Sequence, residues 1–486
     1  MGGNMYSGAF YCFIFLPVSI IIYALTPRRF RGKVLTVLSL FYFFVLSRFL
    51  VLVPIITIFV THFAAKLIEK KKKKVFFFVP FILLFGALAC FKYFPLGLTA
   101  PIGISFYTMA AAGYLLDVYW KRTETNEKLE HTALFLTFFP VIIEGPILRQ
   151  PEIRETLFKF ENISLINIEK GAVRIAWGLF KKLVIADRLS VAVSTIFDNY
   201  QNYHGFMIVM GAVMYTFQLY LEFSGVMDIV VGSGWCFGIK LPENFRQPFF
   251  SEDASDFWKR WHISLGAWFR EYIFYPISVS GVVKKWMVFG RKRFGRWFTN
   301  FVVSVLCLFP VWLCNGIWHG SGDNFIFYGM YYFVLILFET STKQPWHKLM
   351  KKIHVNVKAP WYIAIRTVKV LALIFIGETI FRANNLSEGL SMIGSIFKGG
   401  FFDGVSAQAF LDLRIDAMDY LAIGVGLFVV FLIDLLKEKN RFDVEKLFTM
   451  KTPVKWAICY ALIFSVIIFG AYGDGYGDVA LIYAGF

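Results

Sequence analysis

Charge is what this sequence is short of. Asp, Glu, Lys and Arg make up 17% of its 486 residues, where ordinary soluble domains carry about a quarter. With 57% apolar and 19% aromatic residues gathered into long runs, that shortage excludes a soluble enzyme and leaves a polytopic membrane protein. Cysteine is also scarce. Cys12, Cys90, Cys236, Cys307, Cys314 and Cys459 form no Cys-x-x-Cys pair, so neither a disulfide framework nor a metal site is expected. They read as small buried hydrophobes. A Gly-x-x-x-x-Gly-Lys-Ser/Thr loop and a His-Glu-x-x-His motif are both missing, which removes the usual signatures of ATP-driven transport and metalloproteolysis. No internal repeat of about 20–50 residues is visible, so a solenoid is excluded. The formal net charge of +17 is not concentrated in a long basic domain, so no nucleic-acid partner is expected.

What is present is a series of apolar runs. They fall near 10–25, 34–46, 49–65, 75–91, 102–120, 132–148, 172–186, 206–221, 225–241, 261–277, 301–318, 325–338, 361–377, 421–436 and 456–472. A full helical crossing takes about 20 residues. The pattern therefore predicts an all-α, multi-pass protein with about eleven to thirteen spans, the rest interfacial or re-entrant. Segments 132–148, 172–186 and 261–277, each flanked or broken by charge, Gly or Pro, are expected not to cross. The chain reads as one membrane-embedded domain over 1–486, with its motifs between about 101 and 382 and C-terminal helices over about 418–486.

Basic residues cluster between the runs: Lys70 to Lys74, Lys284 to Arg296, Lys343 to Lys358 and Lys437 to Lys455. The positive-inside rule puts these loops in the cytoplasm, where they also suit anionic lipid. Asn384 to Asp419 and the tail Gly473 to Asp478 are richer in acid and are expected outside. The charge after the first run, at Arg28, Arg29 and Arg31, is on the wrong side for a cleaved signal peptide. Both termini are expected outside the cytoplasmic membrane.

His319 stands in Asn315-Gly316-Ile317-Trp318-His319-Gly320, at the end of an apolar run. Imidazole takes and returns a proton near neutral pH, and lipid makes ionisable groups costly, so such a residue is a functional candidate. Asn315, four residues earlier, shares its helix face. It reads either as a group that orients the imidazole or steadies an oxyanion, or as a small polar helix contact. Cys314 has no cation beside it in sequence to activate it as a nucleophile. His62, His131, His204, His347 and His354 lie in loops or at run ends and are expected at the surface.

The densest polar stretch is 218–272, with Glu222, Ser224, Asp228, Arg260, His262, Arg270 and Glu271 among apolar neighbours. Trp258, Trp261, Leu265 and Trp268 follow helical spacing and predict one amphipathic interfacial helix. On spacing alone its charges serve either lipid phosphates or a charged ligand.

Taken together, the motifs resemble those of the membrane-bound O-acyltransferases. Phe257-Trp258-Lys259-Arg260-Trp261-His262-Ile263-Ser264-Leu265, then Trp268-Phe269-Arg270-Glu271-Tyr272, is similar to the signature of that family. Pro101 to Tyr107, Phe139-Pro140 through Glu144-Gly145-Pro146-Ile147-Leu148-Arg149, Phe223-Ser224-Gly225 with Asp228, Trp318-His319-Gly320, and Phe381-Arg382-Ala383 extend the likeness along most of the chain. The likeness is to the bacterial branch with the alginate-acetylating and teichoic-acid D-alanylating membrane proteins, and Arg149 and its neighbours favour the former. Glu271 stands where Asp is usual, Pro276-Ile277-Ser278-Val279 replaces a Pro-Leu-Gly-Gly turn, and Val226 and Met227 replace a more polar pair.

The resemblance implies helices around a central tunnel, with His319 as catalytic histidine and His262 as the family's second histidine. His262 takes either a structural or a donor-side role. Arg260, Trp261, Ser224, Asp228 and Arg270 become candidate donor or substrate contacts. No permanent cofactor is implied. The expected donor is acetyl-CoA or another acyl thioester, on coenzyme A or an acyl carrier protein. The expected acceptor is a hydroxyl of an exported cell-surface polysaccharide, served by an extracytoplasmic partner protein. D-alanyl transfer to teichoic acid is the nearer alternative. A polysaccharide or ion transporter with a proton relay through His319 and Asp228 is the more distant one.

Overall fold

The computed structural model describes residues 6–71, 73–94, 99–472 and 476. Among these residues every regular element is a helix. In hydrocarbon each backbone N–H and C=O must be paired within its own segment, and a helix achieves this. Seven stretches are long and apolar enough to cross a bilayer: Arg28–Lys71, Val75–Tyr93, Phe206–Cys236, Gly295–His319, Asp323–Lys352, Ala417–Glu438 and Thr452–Phe469. The chain is a multi-pass membrane protein.

Seven is fewer than the about eleven to thirteen expected from hydropathy. The runs at 34–46 and 49–65 lie in one helical stretch, interrupted by a 3₁₀ turn at Arg48–Val51 where Arg48 takes φ 48°. The runs at 206–221 and 225–241 fuse into one 31-residue helix, because the polar residues between them do not break helical pairing. The Phe10–Leu25 helix is shorter, Ile104–Tyr119 has 16 residues, and Pro360–Arg382 carries Arg366, Lys369, Glu378 and Arg382. The segments expected not to cross hold no span. At 132–148 the Leu129–Thr137 helix gives way to irregular chain. At 172–186 a helix over 165–198 winds through a π-turn at Phe180–Ala186. At 261–277 the chain is divided among short helices. Lys72 and, apart from Tyr476, the tail Gly473 to Asp478 lie outside the described residues.

The chain forms two compact units. One comprises Met1–Val191, Gln218–Asn244 and Asp416–Phe486; the other comprises Ala192–Phe217 and Phe245–Ile415. In the first, Tyr6, Tyr11, Tyr42 and Phe139 make an aromatic cluster. Its hydroxyls are satisfied, Tyr6 donating to the Phe139 carbonyl at 2.9 Å and Tyr11 to Ser233 Oγ at 2.9 Å. The 165–198 helix meets the 218–236 helix backbone to backbone at two glycine pairs. A Cβ on Gly178 would lie 2.3 Å from the Gly225 carbonyl oxygen, and one on Gly171 would lie 2.6 Å from that of Gly232. The pairs repeat every seven residues, the spacing that keeps two helices in register. His62 belongs to this unit and is buried, with Nδ1 3.0 Å from Thr132 Oγ1. The surface position expected for it does not hold, because its helix face packs inward. Of the cysteines, Cys236, Cys307 and Cys459 are buried, whereas Cys90 is exposed.

In the second unit the Gly295–His319 and Asp323–Lys352 helices form a hairpin across a three-residue turn. Glycine again sets the separation. A Cβ on Gly329 would meet the Trp312 carbonyl oxygen at 2.3 Å, and one on Gly316 would meet that of Phe325 at 2.6 Å. This close approach holds the last turn of the first helix, with Asn315 and His319, against the first turns of the second.

Candidate active site around His319

His319 is the last residue of its helix. Its carbonyl leads into Gly320, which is extended (φ 175°). The ring is 3% exposed and faces aromatic rings: Trp318 at 5.0 Å between centroids, Phe381 at 5.0 Å, Tyr328 at 5.8 Å and Phe325 at 6.5 Å. The imidazole is therefore enclosed by protein side chains. Asn315, one turn earlier, is buried, and its Oδ1 has no hydrogen-bond partner among the described residues. A buried amide oxygen left unmet is costly, so the position has room for a hydrogen-bond donor.

The structure adds a carboxylate that sequence reasoning missed. Tyr328, edge-on to His319, donates its hydroxyl to Glu378 Oε1 at 2.8 Å. Glu378 is buried on the Pro360–Arg382 helix, and its Oε2 has no partner among the described residues. The sequence signal was an acidic residue directly after the apolar run 361–377, three positions before Phe381.

His262 approaches from a different element. The expected single amphipathic helix through Trp258, Trp261, Leu265 and Trp268 is two short helices, Ala254–Arg260 and Ile263–Phe269. The break is at His262, whose φ 44° and ψ 53° are left-handed, a conformation a helix cannot continue through. Nor do these side chains face lipid, since Trp261, Leu265 and Trp268 are buried within the protein. The His262 ring lies edge-on to Trp318 at 5.7 Å, so His262 and His319 flank the same indole. Burial lowers the His262 pKa to about 3, which keeps it neutral at physiological pH.

The other candidates occupy varied settings. Trp261 stacks on Phe257 at 5.4 Å and meets Phe245 edge-on, as a core residue does. Arg260 donates from Nε to Asp256 at 3.1 Å. Arg270 is half exposed, 3.9 Å from Glu271. Ser224 and Asp228 belong to the other compact unit. There Lys181 donates to Ser224 Oγ at 2.8 Å and pairs with Asp228 Oδ2 at 2.5 Å, while Arg174 Nε donates to Asp228 Oδ1 at 2.8 Å. The Gly178–Gly225 approach brings these groups together. The next lysine, Lys182, pairs with Asp187 at 2.7 Å. It also feels Glu222 and Glu144. Burial, then the Glu222 charge, pushes the Glu144 carboxyl up to about 8, with Lys182 pulling the other way. Adjacent lysines carry no local sign of burial, so sequence alone does not reveal this group.

Comparison with known proteins agrees with the motifs. Residues 129–290 match the membrane-bound O-acyltransferase family. The chain is 30% identical over 421 residues to a probable alginate O-acetylase of Pseudomonas syringae pv. tomato, covering 82% of this chain and 76% of that protein. It is 30% identical over 327 residues to a peptidoglycan O-acetyltransferase of Helicobacter pylori, covering 61% and 57%. It is 30% identical over 250 residues to a teichoic acid D-alanyltransferase of Bacillus subtilis, covering 50% and 59%. An acyltransferase, and not the transporter that an intramembrane histidine also permits, is what these likenesses and the motifs describe: the chain belongs to the membrane-bound O-acyltransferase family.

Proposed function

We propose that this acyltransferase moves an acetyl group from a cytoplasmic thioester, acetyl-CoA or an acyl carrier protein, to a hydroxyl of an exported cell-envelope polysaccharide, with His319 as general base. The observation that carries the reading is the setting of His319: a buried imidazole at a helix end, in contact with Tyr328 and one turn from the unmet amide oxygen of Asn315. A thioester is already activated, whereas an alcohol is not. His319 takes the proton from the acceptor hydroxyl as its oxygen attacks the thioester carbonyl, a contribution of about 10²–10⁴-fold. The tetrahedral oxyanion takes a hydrogen bond from the Asn315 amide nitrogen. When the carbon–sulfur bond breaks, the imidazolium returns its proton to the thiolate, and the ester and free thiol leave. No covalent enzyme intermediate is needed. Because the ring is 3% exposed, the side chains around it must part to admit the reactants along the tunnel this mechanism requires.

The relatives' names support an envelope polymer as acceptor, and the longest coverage is with the alginate O-acetylase. An extracytoplasmic partner protein that presents the polymer completes the reading. The test supplies labelled acetyl-CoA to membranes containing the protein. Label is expected in alkali-labile polymer esters and is lost in His319→Ala. Undiminished ester formation in that variant rejects His319 as the base. Label entering only from a D-alanyl carrier thioester replaces acetyl with D-alanyl, as the likeness to the Bacillus subtilis protein allows.

A further inference from the structure

The second unit holds a cleft of about 450 Å³ that none of the chemistry above uses. One wall is the loop that carries Tyr200, Gln201, Tyr203 and His204. The other is the Leu386–Ser395 helix and the turn after it, which contribute Ser391 and Lys398. The walls are joined by backbone hydrogen bonds, Gly205 N–H to the Ser395 carbonyl at 3.1 Å and Phe206 N–H to the Phe401 carbonyl at 2.7 Å. The cleft is thus a built feature, of a size that ordinary ligand sites have.

Its chemistry is selective. Two phenol rings offer flat apolar faces with polar edges. An imidazole, an amide and a hydroxyl offer donors and acceptors at short range. One ammonium supplies a single positive charge. A lipid chain would meet too many polar groups here, and a nucleotide diphosphate would find too few cations. A sugar ring has a C–H face, peripheral hydroxyls and, in an acidic polymer, one negative group per unit, so it matches all three.

The cleft's place relative to His319 gives it a role. The Leu386–Ser395 helix starts at the turn that follows His319. Leu386 N–H donates to Asp323 Oδ1 at 2.9 Å, and Asn324 Nδ2 donates to the Ala383 carbonyl at 2.9 Å. The helix has 10 residues, and at 1.5 Å per residue the cleft at its far end is about 15 Å from that turn. We propose that this cleft docks the acceptor, a polysaccharide segment bearing one carboxylate per sugar unit, and holds it while a hydroxyl farther along the strand reaches His319. The proposal rests on the reading that the acceptor is a polymer.

The test uses full-length protein in lipid nanodiscs and three probes: alginate oligosaccharides, poly(glycerol phosphate) and neutral maltooligosaccharides. The wild type is expected to bind the alginate oligosaccharides, and to bind both poly(glycerol phosphate), which has no sugar ring, and the neutral probe more weakly. A wild type that prefers poly(glycerol phosphate) overturns the proposal, because that polymer offers charge without a sugar face. Tyr203→Ala and Lys398→Ala are each expected to weaken alginate binding about fivefold to tenfold. Each should raise the KM for the same polymer by more than it lowers kcat, and Lys398→Arg is expected to restore binding. Thermal unfolding confirms that each variant is folded. Folded variants with unchanged binding and KM overturn the proposal, as does a wild type that prefers the neutral probe. His319→Ala separates the two readings. It is expected to bind polymer as the wild type does while transferring nothing. If it still transfers, the catalytic reading fails and the cleft stands.

Discussion

The Gly178→Ala substitution tests the packing that gathers the charged groups of the first unit. The new methyl carbon would sit 2.3 Å from the Gly225 carbonyl oxygen and 2.9 Å from Ile229 Cγ1. Favourable heavy-atom contacts lie near ~3.5–4.0 Å, so the helices must separate by about 1 Å. The obstructing atom is backbone, which cannot turn aside as a side-chain end can. Overpacking of this kind costs about 1–3 kcal/mol, and alanine's better helix propensity returns up to ~1 kcal/mol, leaving a net loss of about 0–2 kcal/mol, and about 1–3 kcal/mol relative to an unobstructed Gly→Ala change. The shift also strains the Lys181–Asp228 contact at 2.5 Å and the Lys181–Ser224 bond at 2.8 Å. Gly86→Ala is the control. Gly86 lies within the Val75–Tyr93 helix, and a Cβ there meets nothing within 4 Å, so stability should be unchanged or raised by up to ~1 kcal/mol. Both proteins are purified in the same detergent and their thermal unfolding compared with the wild type. If Gly178→Ala melts as high as Gly86→Ala, the helices are not in backbone contact, and the account of how these charges assemble is wrong.

Two further predictions concern the buried carboxylates. Glu378→Ala removes the acceptor of the Tyr328 hydroxyl and should cost about 1–3 kcal/mol, with ester formation falling as Tyr328 shifts against His319. Glu378→Gln keeps an acceptor oxygen and should lose less of both, so equal losses in melting and transfer assays would show that the hydrogen bond does not matter. For Glu144 the sign follows from a pKa raised to about 8 in the fold. The folded protein holds a proton that the unfolded chain has released, so this group's contribution is present below the ordinary carboxylate range and is lost as pH rises through about 8. Melting temperature should therefore fall between about pH 5 and pH 8, against the charges of Glu222, Lys182 and Asp187. Glu144→Gln should flatten that slope, and an identical slope in the variant would remove Glu144 as its source.

Local sequence carried a good deal of this protein. The helical class and the many crossings follow from run length, because in lipid the backbone must pair with itself. The weight placed on His319 follows from the cost of an ionisable ring near hydrocarbon. The family motifs were legible because each is contiguous. The reading failed where one residue's backbone overrode a periodic pattern. The tryptophan spacing from Trp258 to Trp268 promised one helix, and the left-handed turn at His262 divides it. Burial of charge leaves no local trace either: Lys181 and Lys182 lie inside the protein.

The sequence alone determined that the chain is a helical membrane acyltransferase, and it singled out one imidazole as the candidate base. Tertiary structure alone decided that imidazole's company. It placed Tyr328 against His319 and Glu378 on the Tyr328 hydroxyl, set His262 against Trp318, and built the cleft from segments almost two hundred positions apart. Hydropathy and spacing act over a turn or two of chain. Which helix faces which is settled by close-packed contacts such as Gly316 and Gly329, and these depend on shape between segments that no local pattern records.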